Sequence, residues 1–219
     1  FDEPQAMSQW SLNLDKKTFL ADYWQRDPLL IRNAIPGFVA PFEADDLAGM
    51  ALEECIESRI IEFRNSNWQL EQGPFVEQSF DRKNPWTLLV QSVDHYVDEV
   101  ADLLRLIDFI PRWRVDDIMV SYAVDGGSAG PHYDHYDVFL LQAQGQREWR
   151  LGQRCDEHSA LKPDTDLKIL EDFACDTTHV LDPGDILYVP PGVAHGGIAK
   201  GECMTYSIGF LAPAMSEIL

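Results

Sequence analysis

The chain has 219 residues, 37 acidic and 17 basic, for a formal net charge of −20. That charge repels phosphate backbones, which argues against direct nucleic-acid binding, and it draws basic partners over long range. Four scattered cysteines without a CxxC pair fit a reducing, cytoplasmic setting, and no apolar run approaches the roughly 18 residues a membrane span needs.

The first hundred residues read as mostly helical. Asp15 to Trp24 sets Phe19, Leu20, Tyr23 and Trp24 on one helical face, and Glu43 to Cys55 repeats the pattern with Leu47, Met50 and Ala51. Asn84-Pro85 has the form of an N-cap followed by a first-turn proline. Behind it, Trp86, Leu89, Val90, Val93, Val97, Val100, Leu104 and Ile107 follow steps of three and four, which predicts one helix stopped by Pro111. His95 falls off that stripe and reads as a surface residue.

After Pro111 the pattern changes to short β segments divided by turn signals. They are 117–124 before Asp125-Gly126-Gly127, 138–143 before Gly145, 147–151, 179–181 before Asp182-Pro183-Gly184-Asp185, 186–189 before Pro190-Pro191-Gly192, and 205–210. The stretch 155–178 is polar and irregular. The expected architecture is mainly β with α: a jelly-roll barrel over 113–213, an N-terminal helical layer over 1–112 packed on it, and 214–219 opening a C-terminal region.

One segment concentrates ionisable groups at the edge of a buried strand: GPHYDHYDVFLLQ, residues 130–142. In a strand, residues i and i+2 share a face, so His132 and Asp134 would point together, and His135 and Asp137 the other way. A second segment, Gly184 to His195, has the spacing G-x5-P-x-G-x2-H. In a double-stranded β-helix it would return His195 to the barrel mouth beside His132 and Asp134. Two imidazoles and a carboxylate on one face of an ion form the facial triad of non-haem iron oxygenases. Where metal-binding cupins carry a glutamate as fourth ligand, this chain has Val138 and Phe139, which disfavours an isomerase and leaves room for a chelating cosubstrate and O2. His158 and His179 have no partner at ligand spacing. Asp117, Met119 and Ser121 share one strand face; looking into the barrel, Asp117 could pair with a cationic side chain and Met119 contact its methylenes.

The stretches WRVDDIMVSYAV, GPHYDHYDVFLLQAQGQREWRLG, LDPGDILYVPPGVAHGG and MTYSIGF resemble the bacterial ribosomal oxygenases of the JmjC group. The resemblance covers nearly the whole chain and implies an Fe(II)- and 2-oxoglutarate-dependent dioxygenase using O2 on a double-stranded β-helix. It implies His132, Asp134 and His195 as iron ligands. It places Arg147 at the distal carboxylate of 2-oxoglutarate, a role that suits a planar guanidinium. Thr205 stands as a second cosubstrate contact, where family members often hold asparagine. Asp117, Met119, Tyr136 and Ser207 match the positions of a substrate pocket for an arginine side chain. The implied reaction is hydroxylation at Cβ of an arginine in a basic large-subunit ribosomal protein. Family members continue beyond the barrel with a helical dimerisation region and a winged-helix-like module, so a homodimer is expected through a C-terminal region beyond Leu219. Two other readings stay open: the same chemistry on a histidine or lysine of another basic protein, and a non-catalytic cupin-like binding module.

Overall fold

The run Val138-Phe139-Leu140-Leu141 is buried at every position, and its alternate side chains enter two different cores. Phe139 and Leu141 join a large core shared with the N-terminal region. Val138 and Leu140 join a smaller one with Trp149, Leu151, Leu187 and Val193. A strand covered on both faces needs no polar alternation, hence the continuous apolar run. The computed structural model describes residues 10–212, so the segment 214–219 lies outside the described residues.

Among the described residues, nine strands form one antiparallel sheet. They are β1 (Leu29–Ile31), β2 (Ser58–Arg64), β3 (Asn67–Gln72), β4 (Trp86–Val90), β5 (Val115–Ala123), β6 (Val138–Arg154), β7 (Cys175–Leu181), β8 (Ile186–Val189) and β9 (Val193–Phe210). Their order is β1-β8-β6-β9-β5-β4-β2-β3, with β7 also on β6. β8 pairs with the first part of β6, Val138 to Leu141, and β7 with the second, Arg147 to Gly152. β6 and β9 stay paired along most of their length, with register shifts between Gln142 and Gln146. Such bulges bend a strand and raise its twist, which folds the sheet over into the double-stranded β-helix. Gly145 sits at that bend with φ +61, where a Cβ would collide with the carbonyl of Glu202.

The helices are short. Asp15 caps α1 (Lys16–Thr18) by accepting from the backbone of Lys17 and Thr18, and the chain widens into a π turn over Phe19–Tyr23. α2 spans Ala44–Met50 and α3 Asp98–Ala101. No helix of the described residues is long and apolar enough to cross a membrane.

The long helix expected from Asn84 to Ile107 does not form. Trp86–Val90 is strand β4, buried at all five positions and paired with both β2 and β5. Ser92 then turns the chain with φ +53, and the remaining stripe forms 3-10 turns around α3. Asn84 is no N-cap: its side-chain amide donates to Glu62 at 2.6 Å. A continuous apolar run fits a helical stripe and a doubly buried strand equally well, and sheet pairing decided between them. The N-terminal region thus brings four strands, β1 to β4, to the barrel as well as helical turns.

Phe19 locks this region onto the barrel. It is 1% exposed and meets Tyr188, Phe139 and Phe109 at ring-centroid distances of 4.8, 5.4 and 5.9 Å. Phe19→Ala removes that payload and leaves a cavity, so it should lower stability by about 3–5 kcal/mol in urea unfolding. A loss below about 1 kcal/mol would show that the layer is not held by this contact.

Candidate metal centre

The segment after β5 runs beside the first half of β9. Gly126 N donates to Ala199 O at 3.0 Å, and Ala199 N to Gly127 O at 2.9 Å. Farther along, His132 and His195 form a reciprocal pair: each backbone N–H donates to the other's carbonyl, at 2.9 and 2.8 Å. Residues directly opposite in such a pair carry their side chains on one face. Gly192 N then donates to Asp134 O at 2.8 Å, which holds the third residue alongside.

The ligand atoms of His132, Asp134 and His195 all lie within 4.8 Å of one another. Among the described residues no other three His, Cys, Asp or Glu converge in this way. His132 Nδ1 lies 2.8 Å from Gly130 O, and His195 Nδ1 lies 3.0 Å from Val193 O. A carbonyl can only accept, so each Nδ1 carries a proton, which leaves Nε2 as the nitrogen that can meet a metal. His195 Nε2 faces Asp134 Oδ2 at 3.6 Å. Burial, followed by the charge of His132, lowers the His195 pKa to about 4 against the opposing pull of Asp134. A neutral imidazole is the form a metal binds. The donor set therefore fits a divalent ion of the first transition row.

His135 and Asp137 take no part. His135 is exposed, and Asp137 is buried elsewhere, accepting from the Tyr188 hydroxyl and from Gln25 Nε2 at 3.2 Å. Burial raises the Asp137 carboxyl, while those two hydrogen bonds pull it back.

The triad opens on a cavity of about 400 Å³. Arg147, Asp117, Met119, Tyr136 and Ser207 all line it. Met119 on β5 stands directly opposite Ser207 on β9. Burial above all, then the charge of the nearby Asp134 carboxylate, raises the Tyr136 pKa. Thr205 does not line the cavity: it is fully buried, and its hydroxyl donates to Gln142 Oε1 at 3.1 Å. The parity of β9 puts it on the same face as Ser207 but one step farther along the strand.

Arg147 is 4% exposed and forms no ion pair among the described residues. Its Nε meets Cys203 Sγ and its Nη1 meets Ser121 Oγ, both at 3.4 Å, while Nη2 has no partner. Two further buried atoms without partners, Thr87 Oγ1 and Trp149 Nε1, belong to residues of the same cavity wall. A buried guanidinium with neutral neighbours and an idle N–H is suited to an anion. Thr87, Trp149 and Gln91 escaped the sequence reading. Trp149 shares the strand face of Arg147, a signal that was available; Thr87 and Gln91 were hidden inside the expected helix.

The His195 value sets a sign for stability against pH. The unfolded imidazole takes a proton near its ordinary 6.5 and the folded one only near 4, so the unfolded state binds more protons between those values. The contribution is whole above about 6.5 and is lost as pH falls toward 4. In metal-free protein, His195→Gln should therefore reduce the slope of unfolding free energy against pH in that window by up to about 1.4 kcal/mol per pH unit. An unchanged slope would mean that His195 is not held neutral by the fold.

A model of the JmjC domain matches residues 102–218. The ribosomal protein uL16 3-hydroxylase of Escherichia coli is 38% identical over 211 residues, which cover 96% of this chain and 56% of that protein. A probable ribosomal oxygenase of Haemophilus influenzae is 40% identical over 210 residues, 94% of this chain and 52% of its own length. A solved structure of the Escherichia coli ribosomal oxygenase YcfD with cobalt and 2-oxoglutarate superposes with a TM-score of 0.85 at 38% identity, covering 96% of this chain and 55% of that one. The chain thus spans about half the length of the relatives it matches. With the model covering more than half of its residues and the double-stranded β-helix in place, this chain belongs to the JmjC-domain family.

Proposed function

We propose that the chain carries the catalytic domain of an Fe(II)- and 2-oxoglutarate-dependent protein hydroxylase, acting at Cβ of an arginine in a large-subunit ribosomal protein. The observation that carries this reading is the unpaired Arg147 guanidinium in the same cavity as the His132, Asp134 and His195 cluster. A binding site for a small dicarboxylate needs both features at once. The related oxygenase, solved in complex with cobalt and 2-oxoglutarate, supports a metal and this cosubstrate here.

His132, Asp134 and His195 would hold the iron through Nε2, a carboxylate oxygen and Nε2. Arg147 would take the distal carboxylate of 2-oxoglutarate, and Ser121 holds the guanidinium from its other side. With O2 and this cosubstrate, the bound iron supplies the oxidising power that inserts an oxygen atom into an unactivated C–H bond. The chain's own residues orient and exclude. Val138, Leu140 and Trp149 give the cavity an apolar wall that keeps out water. Asp117 would pair with the substrate guanidinium, Met119 would pack along its methylenes, and Tyr136 and Ser207 would flank it. The net charge of −20 favours encounter with a basic protein. The same acid and thioether would also attract a lysine, and mass spectrometry of the peptide separates the two.

The assay is succinate formation from 2-oxoglutarate with Fe(II) and air, with and without a uL16 peptide, followed by mass spectrometry for one added oxygen. Peptide-stimulated turnover and an oxidised arginine are expected, both lost in His132→Ala. Turnover with no change to the peptide would overturn the substrate; metal binding without turnover would favour a binding module. Arg147→Ala strands a carboxylate without its partner, so it should raise the KM for 2-oxoglutarate at least about 30-fold while metal still binds. A KM within a factor of about two of the parent would remove Arg147 from the cosubstrate site.

A further inference from the structure

Asp117 is gripped from one side only. Its Oδ2 accepts three hydrogen bonds: from Gln91 Nε2 at 2.7 Å, from Ser92 N at 2.8 Å and from the Ser92 hydroxyl at 2.8 Å. Its Oδ1 faces the space above Gly209, where a Cβ would lie 3.9 Å from Oδ1 and 3.9 Å from the Tyr136 ring. Asp117, Tyr136 and Gly209 all line the cavity, so the oxygen without a partner among the described residues borders it.

The donors are themselves constrained. Ser92 holds φ +53, in the left-handed region that a serine enters only at a cost. In that conformation its N–H and its hydroxyl meet the same oxygen. Gln91 is locked end for end. Arg59 Nη2 donates to Gln91 Oε1 at 3.2 Å, and a guanidinium can only donate. The amide oxygen must therefore face Arg59, which leaves the amide nitrogen for Asp117. The same Nη2 lies 3.7 Å from Met119 Sδ, so this network also touches the other side chain of the proposed pocket. All of Arg59, Gln91, Asp117 and Met119 line the one cavity.

We propose that Arg59, Gln91 and Ser92 form a positioning relay that fixes the plane of the Asp117 carboxylate and thereby selects a guanidinium over an ammonium. With Oδ2 saturated, a substrate is met by Oδ1 alone, at a fixed angle. The N–H groups of a guanidinium lie in one plane with set directions, so it needs an acceptor at a defined angle; an ammonium rotates to suit any angle. Loosening the relay therefore costs an arginine substrate more than a lysine one. This inference rests on the reading of Asp117 as a substrate contact.

The test is calorimetric binding to protein loaded with Mn(II) and 2-oxoglutarate, using a uL16 arginine peptide and its lysine-substituted twin. Gln91→Ala and Ser92→Gly should each weaken the arginine peptide by about 10-fold, and the lysine peptide by less. Ser92→Gly keeps the positive φ and loses only the hydroxyl, which covers the case in which Gln91→Ala fails to fold. In an Asp117→Asn background, Gln91→Ala should add nothing, because it acts through that carboxylate. Equal losses in both backgrounds, or for both peptides, would overturn the relay. Failure of the wild type to bind the peptide, or full binding by Asp117→Asn, would instead remove the Asp117 reading and the relay with it.

Discussion

The reciprocal backbone pair between His132 and His195 is the constraint on which the site depends. It sets two imidazoles from segments sixty-three residues apart side by side, with ring centroids 4.4 Å apart. A shift of one residue in this register would turn one ring to the opposite face and dissolve the cluster. The approach is close because Gly196, next to His195, has no side chain; a Cβ there would lie 3.3 Å from the Cα of Pro131. The carbonyls of Gly130 and Val193 then orient each ring from two residues upstream. Backbone geometry, rather than a network of side chains, presents the two nitrogens.

Elsewhere the fold compensates its buried charges carefully. Asp185 receives Arg32 at 2.6 Å and Asn33 N at 2.8 Å. Glu62 receives Arg82 at 3.0 Å and Asn84 at 2.6 Å. Against that practice, the loosely satisfied Arg147 stands out. Of the five buried side-chain atoms without partners among the described residues, those of Thr87, Arg147 and Trp149 belong to the wall of one cavity. Unmet polar groups are costly, and their concentration on one cavity wall supports the proposed cosubstrate site.

The barrel and the convergence of His132, Asp134 and His195 were legible because their signals are local. Turn residues marked the strand ends after Pro111, and HxD with a proline–glycine turn before His195 has few other uses. Strand parity sets His135 aside, yet of residues 131–137 only His132 forms a bridge and Tyr133 lines the cavity too, so a bent segment rather than a regular strand separates these side chains. The region from Asn84 to Ile107 was not legible for a physical reason: Trp86 to Val90 is apolar throughout, and only β2 and β5, distant in sequence, decide that it is a strand. That error concealed Thr87 and Gln91. Thr205 shows the converse limit. Resemblance placed it at the cosubstrate, whereas here its hydroxyl is engaged by Gln142 outside the cavity wall.

The doubly covered β6 carries a lesson for protein dissection. A boundary drawn where the JmjC-domain model begins, at residue 102, would cut away N-terminal partners of the central strands. Phe139 would lose Phe19, Phe210 would lose Trp24, Tyr188 would lose both, and β5 would lose β4 along its edge. A bare apolar face beside an open strand edge invites self-association. The stretch that the JmjC-domain model matches is thus smaller than the packed unit, whose large core draws on residues from both sides of that boundary.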